Sequence, residues 1–349
     1  MEGIGRMTRL RRSDVTGVGI TRRKCGKGFS YSWTTGERVT DPDVIRRVKD
    51  LVLPPAWSDV WICPWPGGHI QAIGTDAAGR RQYRYHDAWR VRMDKKKYER
   101  ALAFGLSLPA LREAVRRDLA LPGLGRRRVL ATGVRLLDVG CFRIGGEEYA
   151  EENDTFGIAT LRHEHVVVRK GDLLFEYPAK GSIVRSISVA DPDVRKVVRS
   201  LRRGRAPSDD LLAWKSKGEW IDVRSEDLND YIKEEVGAQF SAKDFRTWRA
   251  TVQAAVILSR VDPATLSMSS RRRVVAATVR EVAEVLGNTP AVCRSSYIDP
   301  RVIDRFNGGQ TIAPAPRRPR SVAAVDPILH RGIEKAIVKL IGRPQRVAA

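Results

Sequence analysis

The apolar residues of this chain change their spacing near residue 87, and this change constrains the fold more than any other feature. Before it, short runs of β-branched and aromatic residues are bounded by glycine, a pattern typical of strands. These runs are GVGITRR (17–23), GFSYSWTTG (28–36), VWICPW (60–65), HIQAIGTD (69–76) and RQYRYH (81–86). PGG at 66–68 predicts a hairpin turn. The N-terminal part is therefore predicted to be a small antiparallel β domain.

One helix is predicted inside this β-rich part. Asp41 can cap its N-terminus, and Pro42 suits the first turn. Apolar residues then recur at helical spacing up to Leu51. The word LPPAW (53–57) ends the helix, because its two prolines cannot continue one.

From about Asp87 the apolar residues follow three- and four-residue spacing, which predicts helices. The helical segments are 87–105, 108–120, 126–140 (ended by glycine), 192–204, 225–237, 244–259 and 270–287. Between them, residues 165–189 read as two or three antiparallel strands with turns at KGD and AKG. The predicted class is α+β, with a small antiparallel β domain followed by a larger, mainly helical domain that carries a β-hairpin insert.

The composition changes again after Asn307. GGQTIAPAPRRPRSVAA (308–324) is a Pro/Arg-rich linker, and PILHRGIEKAIVKLIG (327–342) predicts a short terminal helix. We therefore divide the chain into residues 1–90, 91–308 and a basic tail, 309–349.

The chain is strongly basic. Lys and Arg number 63 against 41 Asp and Glu, which gives a formal net charge of +22. Such a balance favours a polyanionic partner, with nucleic acid as the first candidate. Charge alone does not select the polyanion, since a ribosomal or coat protein would have a similar excess.

Cysteine, histidine and apolar runs narrow the class of protein. The four cysteines are far apart, which indicates reduced thiols in a cytosolic protein. His163 and His165 share one face of a predicted strand, and we expect satisfied strand histidines there, since no further metal ligand is near. No run approaches the length of a membrane helix, and the basic N-terminus lacks the apolar core of a signal peptide. A cytoplasmic protein that does not enter membranes is expected.

The stretch LGNTPAVCRSSYIDP (286–300) reads as a helix end, a loop and a lone tyrosine, Tyr297. A phenol is a poor nucleophile near neutral pH, because its pKa is about 10. If Tyr297 attacks a phosphodiester, other residues must stabilise the charge on the non-bridging oxygens and protonate the leaving oxygen. Arginine suits the first task because of its permanent charge and planar fork, and lysine suits the second.

The chain offers candidates for each task. Arg143 lies at a glycine-rich helix end, Arg246 begins a strongly apolar helix, and Lys180 lies at a predicted hairpin tip. Asn288 can donate an amide hydrogen bond. Any one of these residues, taken alone, could equally be a solvated surface group.

Together with their surrounding words, these residues resemble the type IB DNA topoisomerases, in the bacterial branch similar to the poxvirus enzymes. The resemblance covers about residues 20–308. The words that carry it are LPPAW (53–57), GRRQYRYH (79–86), LLDVGCFRIGGEEYA (136–150), TFGIATLRHEHV (155–166), AKDFRTWRATV (242–252) and LGNTPAVCRSSYIDP (286–300).

The resemblance implies an activity and a set of roles. Enzymes of this family relax supercoiled duplex DNA through a 3′-phosphotyrosyl intermediate, strand swivelling and religation, with no ATP, metal or other cofactor. Tyr297 would be the nucleophile, and Arg143 and Arg246 would bind the scissile phosphate. Lys180 would be the general acid for the 5′-oxygen. The resemblance also implies a tyrosine recombinase-like catalytic domain that forms a clamp around DNA.

Three positions leave alternatives open. Asn288 stands where poxviral and eukaryotic members have histidine, so it can hydrogen-bond a phosphate oxygen but cannot transfer a proton. The word around Lys180 departs from the G-K-D of many members, which leaves Lys170 as a competitor. Lys243 is either a second proton donor or phosphate contact, or an exposed lysine at a helix N-terminus.

The word GRRQYRYH combines cations with aromatic residues. The resemblance assigns DNA contacts to a group within it: Arg80, Gln82, Tyr83, Arg84 and Tyr85. The two tyrosines lie two residues apart on a strand and share a face, which is either core or DNA-binding surface.

Two other classes of protein compete with this interpretation. A tyrosine recombinase normally has H-x-x-R where this chain has Lys243 to Arg246, and its N-terminal domain is helical. A non-enzymatic DNA-binding relative need not keep every candidate position filled. We therefore expect a monomeric, nucleoid-associated topoisomerase whose partner is double-stranded DNA.

Overall fold

The computed structural model describes residues 9–147, 150, 153–313 and 331–342. The chain divides into two compact units, Met1–Lys97 and Tyr98–Ala349. The described residues form small antiparallel sheets and ten α-helices, which gives a mixed α/β fold. Among the helices described, none is long and apolar enough to cross a membrane.

The N-terminal unit is built on one five-stranded antiparallel sheet in the order β2-β1-β3-β4-β5. Its strands are β1 (Ile20–Cys25), β2 (Gly28–Trp33), β3 (Ser58–Ile62), β4 (Ile70–Thr75) and β5 (Arg81–Tyr85). The small core of the unit includes Ile20, Val48 and Ile62. The predicted antiparallel β domain is confirmed in these elements.

Helix α1 (Pro42–Asp50) covers this sheet, and its predicted start is confirmed. The Asp41 carboxylate accepts hydrogen bonds from the backbone N–H groups of Asp43 and Val44, which have no partner inside the helix.

Helix α2 (Asp87–Leu119) is continuous, so the prediction of two separate segments was wrong. Pro109 lies inside it, where a proline removes one helical hydrogen bond. Tertiary packing compensates for this loss. Gly105 lies against the Trp248 ring so closely that a Cβ atom there would be 2.5 Å from the ring.

The C-terminal unit buries most of the protein's core between helices. In chain order these are α3 (Arg126–Gly140), α4 (Pro192–Leu201), α5 (Ser225–Val236), α6 (Ala242–Leu258), α7 (Met268–Leu286), α8 (Pro290–Ser296), α9 (Pro300–Asn307) and α10 (Arg331–Ile341). Helix α6 is buried along almost its whole length, which makes it the central element of the unit.

Helix α3 has the predicted bounds and ends at Gly140, but the glycine does not form its C-cap. Gly140 is the last helical residue, and the left-handed conformation falls on Cys141, with φ 54°. A Cβ atom at Gly140 would lie 2.1 Å from the Phe142 ring. The glycine is therefore required for close packing, while Cys141 turns the chain.

The predicted strand insert is a three-stranded antiparallel sheet, β6-β7-β8. It comprises β6 (Val166–Val168), β7 (Leu173–Ala179) and β8 (Ile183–Val189). A second hairpin, β9 (Ala213–Ser216) with β10 (Glu219–Asp222), was missed. The turn sequence Lys217-Gly218 between two tryptophan-containing runs could have indicated it.

His163 and His165 lie in a short 3₁₀ turn before β6, so their assignment to a strand was wrong. The ring of His165 accepts a hydrogen bond from the Arg162 backbone. Neither ring nitrogen of the buried His163 has a hydrogen-bond partner among the described residues, so this histidine is not satisfied as expected. No group of three or more metal-ligating side chains occurs in the described part of the chain.

The predicted terminal helix corresponds to α10, and it packs onto the core of the C-terminal unit. Ile337 and Ile341 are buried, and the buried Glu334 accepts hydrogen bonds from Arg112 and Trp248. Most of the Pro/Arg-rich linker (308–324) lies after residue 313, outside the described residues. The segment after Asn307 is therefore more than a basic tail.

Candidate functional site

Three arginine side chains bind the C-terminus of α7. A helix leaves the carbonyl oxygens of its last turn without intrahelical donors, and these oxygens carry the negative end of the helix dipole. Arg185 donates to the carbonyls of Glu284 and Val285, at 3.0 and 2.5 Å. The next two carbonyls accept from Arg246 and Arg143, at 2.8 and 3.1 Å.

Arg143 reaches this point from the loop that follows α3. Backbone hydrogen bonds from Ile158 and Ala159 fix the loop, at 2.8 Å each. Gly157 makes this approach possible, because a Cβ atom there would lie 2.4 Å from the backbone nitrogen of Gly145. The glycines of this loop thus serve backbone packing in the structure, whereas the sequence suggested close approach to a phosphate.

Arg246 projects from the second turn of α6 and is 5% exposed. It donates hydrogen bonds to the Cys141 and Leu286 carbonyls, at 2.6 and 2.8 Å. Its guanidinium carbon lies 5.3 Å from the centre of the Tyr297 ring. Its Nε–H is buried without a hydrogen-bond partner in the described structure.

Asn288 follows Gly287, which ends α7 in the left-handed conformation at φ 60°. The Asn288 side-chain oxygen accepts a hydrogen bond from Arg143 at 2.8 Å. Its side-chain nitrogen is buried and has no partner among the described residues. The amide thus orients one arginine and keeps a donor available.

Tyr297 caps the short helix α8, so the loop predicted between α7 and this tyrosine is a helix instead. Pro290 occupies the first helical turn, where its missing N–H costs nothing, and Thr289 supplies the N-cap. The Thr251 hydroxyl of α6 donates to the Tyr297 carbonyl at 3.4 Å. The same helix therefore places both Arg246 and the backbone of Tyr297.

The charge of this cluster is not neutralised within the described structure. None of the three arginines forms a salt bridge with a described carboxylate. Burial lowers the pKa of Arg143, and the neighbouring Arg246 charge lowers it further. Burial also raises the pKa of the adjacent Tyr177 to about 12. The arrangement is a partly buried cationic site beside a tyrosine.

Arg185 was not identified from the sequence. It lies on β8, five residues after Lys180, and the pattern of polar and apolar residues in this strand does not distinguish it as a site residue. Its position becomes meaningful only because β8 passes the end of α7.

Lys180 occupies the exposed tip of the β7–β8 hairpin, as predicted. Lys170 lies in the turn before β7, at the opposite end of that strand. Lys243 is exposed on the first turn of α6, three residues before Arg246. The structure therefore brings Tyr297, Arg143, Arg246 and Asn288 together, while the roles of the lysines stay predictions.

The predicted DNA-contact residues belong to the edge strand β5 and the turn before it. Tyr83 and Tyr85 stack at 6.0 Å between ring centres and are 45% and 36% exposed, so their shared face is not core. Asp76 accepts hydrogen bonds from Arg80 and Gln82, and Asp87 accepts one from Arg84. This edge of the sheet therefore presents an exposed pair of aromatic rings beside arginines that hydrogen bonds hold in place.

A clustered set of arginines lies beside a tyrosine on a mainly helical unit with a β-hairpin, an arrangement whose positive charge suits an anion such as a phosphodiester. Comparison with known proteins agrees with this interpretation. Residues 86–308 match the family model described as eukaryotic DNA topoisomerase I, catalytic core. Residues 28–76 match the model described as bacterial DNA topoisomerase IB, N-terminal domain. The chain belongs to the DNA topoisomerase IB family, whose members are isomerases.

Individual relatives give the same result. The chain is 32% identical over 288 residues to DNA topoisomerase 1B of Acanthamoeba polyphaga mimivirus, covering 80% of this chain and 85% of that one. Vaccinia virus (strain Copenhagen) DNA topoisomerase 1B is 20% identical over 66% of this chain and 71% of its own length. DNA topoisomerase 1 of Schizosaccharomyces pombe is 29% identical over 51% of this chain, which covers only 21% of that protein. These matches favour a topoisomerase over a tyrosine recombinase.

Proposed function

We propose that this chain relaxes supercoiled duplex DNA by cutting and rejoining one strand, without ATP or a metal ion. The observation that carries the proposal is the uncompensated positive charge beside Tyr297. Arg246 is buried with carbonyl oxygens as its hydrogen-bond partners. Burying such a charge is costly unless an anion approaches it. A phosphodiester placed against the Tyr297 ring would offset that cost.

In this mechanism the Tyr297 hydroxyl loses its proton to solvent as its oxygen attacks the phosphorus, and the bond to the 5′-oxygen breaks. A 3′-phosphotyrosyl bond forms, so the energy of the phosphodiester is kept and religation needs no other energy source. Arg143, Arg246 and the Asn288 amide stabilise the charge that develops on the non-bridging oxygens. The arginines supply the positive charge that metal ions provide in many phosphoryl-transfer sites.

The departing 5′-oxygen needs a proton, which we assign to Lys180. Arg185 faces Tyr177 across the hairpin and binds the end of α7, so the Lys180 end of β7 is the end near the arginine cluster. Lys170 follows β6 at the far end, about 20 Å away along a seven-residue strand. This placement supports Lys180 over Lys170 as the general acid.

We further propose that DNA is held between the two units as in a clamp, by a monomer. The stacked Tyr83 and Tyr85 pair and the cations of β5 would contact the duplex on the N-terminal side. Aromatic and cationic groups together suit nucleic acid, because they match both bases and phosphates.

The direct test is Tyr297→Phe, which removes only the attacking oxygen. We expect duplex binding to persist, while relaxation in EDTA without ATP and the protein–DNA adduct on denaturing gels both disappear. Protein-linked DNA formed by the variant would show that another residue is the nucleophile.

A further inference from the structure

Arg185 connects two parts of the site that are distant in sequence. It projects from β8, within the hairpin that carries Lys180, and donates two hydrogen bonds to carbonyls in the last turn of α7. Its side chain also runs across Gly287: a Cβ atom at this position would lie 2.7 Å from Nη1 and 3.1 Å from Cδ of Arg185. A side chain at position 287 would therefore force Arg185 out of this position.

This contact fixes the segment that carries Asn288. The backbone N–H of Asn288 donates to the Ala283 carbonyl at 3.0 Å, one residue before the carbonyls that Arg185 binds. The Asn288 side chain in turn accepts from Arg143 at 2.8 Å. Arg185 is thus connected to Arg143 through hydrogen bonds at both ends and through the backbone at the end of α7 between them.

We infer that Arg185 is a positioning residue for DNA cleavage, acting through Asn288 and Arg143; this inference rests on the proposed function. It holds the end of α7 in place so that the Asn288 amide and the Arg143 guanidinium are aligned before a phosphate arrives. Misplacement of groups at a reacting phosphate by about 1 Å can slow a reaction roughly 100-fold. Arg185 itself is not assigned a contact with DNA.

Two simpler roles compete with this one. Arg185 could serve only the stability of the fold, as an arginine that contacts α7 elsewhere would. Arg260, whose side chain lies 3.6 Å from Glu281 of α7 in an exposed ion pair, is a matched control for that role. Alternatively, Arg185 could act on the hairpin and so position Lys180.

The experiment measures single-turnover formation of the covalent adduct on a duplex with a mapped cleavage site. The proteins compared are wild type, Tyr297→Phe, Arg185→Ala, Arg185→Lys, Arg260→Ala, Asn288→Ala, Lys180→Ala and the Arg185→Ala/Asn288→Ala double variant. Each is also assayed on a strand whose bridging 5′-oxygen is replaced by sulfur, a leaving group that needs little protonation. Amide hydrogen exchange over residues 283–293 is followed in the same proteins.

We expect Arg185→Ala to cleave roughly 10- to 100-fold more slowly, with unchanged duplex affinity, and Arg185→Lys to recover part of that loss. In the Asn288→Ala background, Arg185→Ala should add about twofold or less, because coupled residues are not additive. Sulfur should rescue Lys180→Ala but not Arg185→Ala. Exchange at the end of α7 should be faster in both proteins that carry Arg185→Ala, and Arg260→Ala should behave as wild type.

Several results would overturn the inference. Wild-type cleavage by Arg185→Ala, a fully multiplicative double variant, or rescue of Arg185→Ala by sulfur would each do so, and the last would point to Lys180. If Arg185→Ala unfolds, two measurements on Arg185→Lys decide the question. These are its partial recovery of the cleavage rate and its hydrogen exchange at the end of α7. If wild type forms no adduct, the proposed function fails, while unchanged exchange in Arg185→Ala refutes the positioning role separately.

Discussion

At the scale of single residues, Arg246 combines deep burial with an unneutralised charge. Its two described hydrogen-bond partners are carbonyl oxygens, and the Tyr297 ring lies beside it. A planar guanidinium can keep both carbonyls and still present its remaining N–H groups to a phosphate, whereas an ammonium group lacks this fork. The position of these groups therefore favours arginine over lysine at residue 246.

We predict that Arg246→Lys does not restore activity. Loss of the fork should cost on the order of 3 kcal/mol of transition-state stabilisation, or about 10²-fold in the cleavage rate. Arg246→Ala should cost at least as much. Single-turnover cleavage, with thermal unfolding as the check on folding, measures the effect; near-normal cleavage by the lysine variant would remove the argument from bidentate binding.

His163 makes stability depend on pH. Burial, assisted by the nearby Arg205 charge, lowers its pKa from 6.5 to about 4. Between these values the unfolded chain binds a proton that the folded protein does not, so stability falls as the pH drops from 6.5 to 4 and the loss then levels off.

We predict that His163→Leu removes this part of the acid sensitivity. The wild-type C-terminal unit should lose about 3 kcal/mol between pH 7 and pH 4 through this residue, and the variant should not. Urea unfolding at a series of pH values measures the difference. Parallel pH curves for the two proteins would show that His163 does not titrate as proposed.

At the scale of elements, α10 shows how a distant segment supports the site. The Glu334 carboxylate accepts from both Nη atoms of Arg112, at 2.7 and 3.0 Å, and from the Trp248 indole at 3.3 Å. Trp248 belongs to α6, the helix that carries Arg246. Asp138 and the hydrogen bonds in this cluster raise the pKa of Arg112 despite its burial, so the guanidinium stays charged.

We predict that Glu334→Ala destabilises the C-terminal unit by roughly 3–5 kcal/mol, because it leaves a buried arginine with half of its partners. The exposed neighbour Lys335→Ala should change stability by less than about 0.5 kcal/mol. Chemical unfolding of both variants makes the comparison. Truncation after Asn307 removes α10, and we therefore expect it to impair folding; similar stabilities for the two point variants would contradict this.

At the scale of the whole molecule, the net charge of +22 favours DNA binding that weakens as salt rises. The Pro/Arg-rich linker contributes three closely spaced cations, Arg317, Arg318 and Arg320, which lie outside the described residues. Replacing them tests the linker without removing α10.

We predict that the triple Arg→Gln variant binds duplex DNA with a shallower salt dependence and cleaves it normally once bound. Each phosphate contact adds roughly −0.9 to the slope of log affinity against log salt, so three contacts would change the slope by about 2.7. Fluorescence anisotropy between low and moderate salt gives the slope. An identical slope would show that this linker does not touch DNA.

Features that depend on neighbouring residues could be predicted from the sequence. Strands β1 to β8, the α1 cap, the end of α7 at Gly287 and the hairpin tip at Lys180 follow from local patterns and turn chemistry. The words around Tyr297, Arg143 and Arg246 identified the family and nominated these residues. Local signals sufficed because capping, turns and periodicity act over a few residues.

Features set by contacts between distant residues could not be predicted in this way. Pro109 remains inside α2 where Gly105 packs on Trp248, and Cys141 takes the left-handed turn because Gly140 must admit the Phe142 ring. Arg185 joined the site only because β8 crosses the end of α7, 99 residues away in sequence. Carbonyl groups at a helix end accept any donor that the fold brings within reach, and no pattern along the chain records which donor arrives.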